Sequence, residues 1–162
     1  KGGHDMGRMG HFDLRELRKL QERLNRVSEQ EINAFLEACT KELAARLLAK
    51  VIKRTPVGQY PASSGKTGGT LRRGWTSAGT ANSNAKQYAE SLTVHQYGGY
   101  LVIEIINPVE YASYVEFGHR TADHTGWVPG RFMMTISEQE IQNIAPAVLE
   151  KKINKFIREH MQ

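Results

Sequence analysis

The chain has 162 residues, 40% hydrophobic and 24% charged, with a formal net charge of +5 and one cysteine. That length lets one domain bury an apolar core without disulfides or metals, and the composition excludes disordered, fibrous and disulfide-stapled classes. No apolar run approaches the roughly 20 residues that a membrane-spanning helix requires.

The position of the charge says more than its sum. Seven of the 22 basic residues fall between Lys50 and Lys86 with no acidic residue among them, while the rest of the chain holds 15 basic against 17 acidic. Residues 1–10 read as a tag-like or disordered start, and one domain is expected over 11–162. No charged flank followed by an apolar stretch marks a secretory signal. Cys39, near Phe35, Leu36 and Leu43, reads as a small buried thiol suited to a reducing compartment.

Asp13 and Glu16 open a predicted helix with Leu17, Leu20, Leu24 and Val27 on one face. Ser28-Glu29-Gln30-Glu31 is a second capping box. It opens a longer helix with the stripe Ile32, Phe35, Leu36, Cys39, Leu43, Leu47 and Val51, stopped by Thr55-Pro56 because proline disfavours helical geometry before it. From 56 to 86 the periodicity lapses and glycine and serine accumulate, which predicts a long flexible basic loop anchored by Leu71 and Trp75.

From Tyr88 the period changes to two. Leu92 and Val94 lead through Gly98-Gly99 to a returning strand at Leu101–Ile106, a hairpin, with a third strand expected from Trp75 to Ala81. After Asn107-Pro108, Val109–Phe117 predicts one or two helical turns, with Tyr111, Tyr114, Val115 and Phe117 able to pack under the sheet. His119–Pro129 reads as a loop. Arg131–His160 is helical in pattern, with Ile141, Ile144, Val148, Ile153, Phe156 and Ile157 facing a core; Pro146 should kink it or begin a new helix. The predicted class is α+β: N-terminal helices, a three- to four-stranded antiparallel sheet, a short aromatic helix and a C-terminal helix.

Several constellations resemble catalytic or ligand motifs and fall short of them. Gly65-Lys66-Thr67 suggests a phosphate-binding loop, but the required earlier glycine would stand where Tyr60 does, and no apolar strand precedes it. His119, Glu116, Asp123 and His124 have no familiar metal-ligand spacing. No serine sits in a glycine elbow, so neither an enzyme nor a cofactor is expected. The basic stretch fits a nucleic-acid backbone through counterion release, with Tyr60, Trp75 and Tyr88 as stacking groups, or acidic surfaces of a neighbouring subunit.

Three blocks in order, Arg54-Thr55-Pro56-Val57, Gly69-Thr70-Leu71-Arg72-Arg73-Gly74-Trp75 and Asn107 through His119, resemble the head-tail connector or neck family named after gene product ten of phage HK-ninety-seven. The resemblance spans roughly Leu14 to Phe156. Many members join the first two blocks by a few residues, whereas this chain inserts Gly58 to Gly69; that insertion and the ending Trp127–Phe132 resemble versions in long-tailed or contractile particles of Gram-positive bacteria.

The resemblance implies a non-enzymatic virion subunit, made in the bacterial cytoplasm and ringed at the head-tail junction in six or twelve copies. The partners it implies are copies of itself, head-completion or adaptor proteins, and tail-terminator or tail-tube proteins, with transient contact to DNA and none to membrane. A tail-terminator cap or a stand-alone DNA-binding module is the alternative. Within that frame Lys53, Arg54, Lys66, Arg72, Arg73 and Lys86 are the expected DNA or partner-ring contacts. Trp75, Tyr111, Tyr114, Glu116, Phe117, His119 and Trp127 are the expected subunit interface, since a ring needs two different self-surfaces on each copy.

Overall fold

Helix α1 (Glu29–Arg54) begins where the capping box places it. The Ser28 hydroxyl accepts the Glu31 amide N–H at 3.1 Å, and the Glu31 carboxylate accepts the Ser28 amide N–H at 2.8 Å. It ends at Thr55, which is extended ahead of Pro56. These bounds come from a computed structural model that describes residues 19, 22, 23, 25–76 and 84–160. Of the predicted helix that opens at Asp13, Lys19, Glu22 and Arg23 are helical and Val27 lies in a bend, while Leu17, Leu20 and Leu24 lie outside the described residues.

The buried face of α1 is Cys39, Ala44, Leu48 and Val51. This is rotated from the expected stripe: Ile32 and Leu36 are exposed, and Leu48 rather than Leu47 is fully enclosed. Packing explains the rotation, because α1 is held between α3 (Ala85–Ser91) and the C-terminal helix α5 (Met133–His160). Leu71, Trp75, Ala89 and Met133 complete the core around Leu48 and Val51.

The basic loop is more ordered than its composition implies. A 3-10 turn, Ala62–Ser64, ends at left-handed Gly65, and a one-turn helix α2 (Thr70–Gly74) follows left-handed Gly69. Leu71 and Trp75 are buried, as the anchoring role required. Asn84 then caps α3 by accepting the Gln87 amide N–H at 2.9 Å. Tyr88 is thus helical, and the extended period starts later than expected.

Strands β1 (Val94–Tyr97) and β2 (Tyr100–Ile103) pair antiparallel, with Tyr97 opposite Tyr100 across the Gly98-Gly99 turn. Gly98 takes φ +56, a conformation glycine adopts without Cβ conflict. Trp75 closes α2 rather than starting a third strand, and 77–81 lie outside the described residues.

Helix α4 (Ala112–Phe117) runs directly into a second hairpin, β3 (Gly118–Arg120) and β4 (Trp127–Pro129), in the stretch read as a loop. The α+β class holds, with four antiparallel strands among the described residues, divided between two ladders rather than joined in one sheet. Helix α5 runs unbroken through Pro146. Pro146 and Gln142, whose carbonyl the proline leaves without a helical donor, are both exposed. Ile141 faces the core, whereas Ile153 and Ile157 are exposed.

Candidate assembly surfaces

Thr55 joins the first two sequence blocks. Its hydroxyl donates to the Val51 carbonyl at 2.7 Å and accepts the indole N–H of Trp75 at 2.8 Å. Its carbonyl accepts two bonds from Arg72, from Nε at 3.1 Å and Nη2 at 2.7 Å. The third block is fastened through Asn107, whose Nδ2 donates to the Leu71 carbonyl at 2.8 Å while its Oδ1 accepts the Val109 amide N–H at 3.1 Å. Gly74 packs so closely on the Asn107 side chain that a Cβ there would overlap it.

Glu116 makes the last joint. It is buried, and its carboxylate accepts the amide N–H groups of Met134 at 3.0 Å and Thr135 at 2.9 Å, together with the Thr135 hydroxyl. It thus caps α5 from a distance, placing negative charge at the positive end of the helix. Phe132, just before α5, has φ +47 and no capping side chain, so the cap comes from α4.

The expected cationic contacts divide into two groups. Arg54 pairs with Glu140 at 2.7 Å and donates to Ser137 at 2.7 Å, Arg72 is held by Thr55, and Arg73 folds back to the Gly68 carbonyl at 3.2 Å. Lys53, Lys66 and Lys86 remain exposed, with Lys66 Nζ 5.9 Å from the Tyr60 ring centre.

The expected interface residues divide likewise. Trp75 and Glu116 are internal joints, whereas Tyr111, Tyr114 and Phe117 face solvent instead of packing under a sheet, and Trp127 is exposed as well. His119 is half-buried against the Tyr114 ring at 5.7 Å, and its Nδ1 has no hydrogen-bond partner among the described residues.

Helices α1 and α5 are cross-linked electrostatically. The Lys50 ammonium, and after it the Arg54 guanidinium, hold the Glu140 carboxyl below its ordinary value by hydrogen bonding. Between the middle of α1, the β1–β2 hairpin and α5 lies an open groove of about 880 Å³, lined mainly by aliphatic side chains. Cys39 sits on its floor, and burial pushes its thiol pKa up, which makes it a poor nucleophile. The sequence signals this groove only weakly, because it is built from positions flanking the core stripe of α1 and from a hairpin far along the chain.

Among the described residues no cluster of three or more His, Cys, Asp or Glu side chains is placed to hold a metal ion, and no helix is long and apolar enough to cross a membrane. Neither comparison with curated proteins nor comparison with solved structures finds a match. Compared with protein families, residues 18–118 match the HK97-gp10-like family, described as a tail component of the bacteriophage HK97 gp10 type. The match covers more than half of the chain and contains the joints at Thr55, Trp75, Asn107 and Glu116, while β4 and α5 lie beyond it. The chain therefore belongs to the HK97-gp10-like family of phage tail components.

Proposed function

We propose that the protein is a non-enzymatic structural subunit of a tailed-phage particle or phage-like tail, assembled as a closed ring at the head-tail junction. Family membership supports a phage structural protein. The observation that carries the ring is the amount of large apolar surface left exposed on separate elements: Tyr97 and Tyr100 on the first hairpin, Tyr114 and Phe117 on α4, and Trp127 on the second hairpin. Contiguous exposed apolar surface marks interaction sites, and a ring closed by rotation uses two different faces of each copy.

In this reading Lys53, Lys66 and Lys86, exposed and without an ion pair among the described residues, turn toward DNA in the lumen or toward the adjoining ring. Of the six expected cationic contacts, Arg54, Arg72 and Arg73 are engaged inside the chain, which removes half of the charge on which a stand-alone DNA-binding reading rested. Neighbours along the axis would be head-completion or adaptor proteins on one side and tail-terminator or tail-tube proteins on the other.

Deleting the gene in the producing strain tests the reading. Filled heads and separate tails should accumulate at the expense of joined particles, and purified wild-type particles should contain the chain. Normal particles after deletion, or wild-type particles without the chain, would contradict it.

A further inference from the structure

The chain leaves two apolar surfaces of opposite shape. One projects: the β3–β4 hairpin packs on α4 and makes no sizeable contact with α1 or the first hairpin. Trp127, 60% exposed, stands on it, and Phe117, 62% exposed, closes α4 where the hairpin begins. Arg120 and Arg131 lie beside them, exposed, with no partner for either guanidinium among the described residues. Strands of three residues in an isolated pair are marginal in water, so this arm gains order when something covers it.

The other surface is the concave groove of about 880 Å³, where Leu43, Leu47, Leu101 and Met134 meet. Its lining includes Glu104 and Glu138 and no lysine or arginine. Both carboxylates are exposed and have no hydrogen bond or ion pair among the described residues. The arm does not lie in its own chain's groove, since Phe117 and Trp127 are absent from the lining.

We propose that the occupant of the groove is the arm of a second copy of this chain, with Phe117 and Trp127 as apolar anchors and Arg120 and Arg131 facing Glu104 and Glu138. Two unpaired cations on the projection match two unpaired anions in the hollow. The aromatic side chains supply affinity, and the charges fix register and exclude wrong partners. Because arm and groove are different patches, the contact is head-to-tail and repeats from copy to copy until rotation closes it. This inference rests on the ring reading and assigns its faces.

Disulfide trapping between full-length chains tests it. In a Cys39→Ser background, a chain carrying Trp127→Cys is mixed with one carrying Val102→Cys, and in parallel with one carrying Lys66→Cys, under mild oxidation. The expected result is preferential linkage of positions 127 and 102. Arg120→Glu with Arg131→Glu on the arm chain should lower the yield at least about tenfold, and Glu104→Arg with Glu138→Arg on the groove chain should restore it.

Linkage no better than to position 66, or a yield insensitive to the charge reversal, overturns the contact. Circular dichroism matching the wild type shows that each variant is folded. An overturned contact leaves the virion reading standing, because that reading falls only if particles lack the chain.

Discussion

The indole N–H of Trp75 and the hydroxyl of Thr55 lie 2.8 Å apart in the core, so the residue that ends α1 also fixes the basic segment. Thr55→Val keeps the shape and leaves a buried indole N–H unpaired, which should cost about 1–3 kcal/mol. Thr55→Ser retains the hydroxyl and should cost under about 1 kcal/mol, roughly one buried methyl. Urea denaturation of the two variants checks this, and equal stabilities would contradict the joint.

Glu116→Ala removes a carboxylate that accepts two amide N–H groups and a hydroxyl at the start of α5. A loss of about 2–3 kcal/mol is expected, combining a charged hydrogen bond and a helix cap. Glu116→Gln keeps one accepting oxygen and should fall between it and the wild type. Hydrogen exchange of the Met134 and Thr135 amides should quicken in step; unchanged protection would show that the cap lies elsewhere.

Acid stability should report the Lys50–Glu140–Arg54 cluster. The folded state holds Glu140 below its ordinary 4.5 through Lys50 first and Arg54 second, so folding favours the ionised form. That stabilisation is complete above about pH 4.5 and is lost as pH falls through the lowered folded value. Glu140→Gln should therefore flatten part of the acid limb in a pH series of denaturation midpoints. An acid limb as steep as the wild type's would remove the cluster from the explanation.

Two glycines should differ sharply on substitution. Gly98 has φ +56 with open space around it, so Gly98→Ala carries only the left-handed conformational cost, about 1–2 kcal/mol. Gly118 has φ +87, and an added Cβ would lie 2.5 Å from the Val128 carbonyl oxygen, so Gly118→Ala must also open the arm. Thermal denaturation should rank Gly118→Ala clearly below Gly98→Ala; the reverse order would refute the close packing of β3 on β4.

Local signals were legible where one element contains its own cause. The Ser28/Glu31 box and Thr55-Pro56 set both ends of α1, the Gly98-Gly99 pair set the first hairpin, and Leu71 and Trp75 were readable as anchors in a loop otherwise poor in large apolar residues. The β3–β4 hairpin was not legible, because three-residue strands show no alternation and the intervening Thr121–Gly126 turn is held by Asp123 accepting from Thr121 and Thr125. The roles of Arg72 and Glu116 were hidden for another reason. Each acts on backbone 17 to 19 residues away, so a cation that looked free and an acid that looked like interface are both internal joints.

An electron-microscopy reconstruction of intact particles with this subunit labelled tests the ring most directly. The expected result is a closed annulus of identical copies between head and tail, with a continuous channel through its centre and lysine side chains facing that channel or the adjoining ring. Label distributed along the tail or absent from the junction would contradict it.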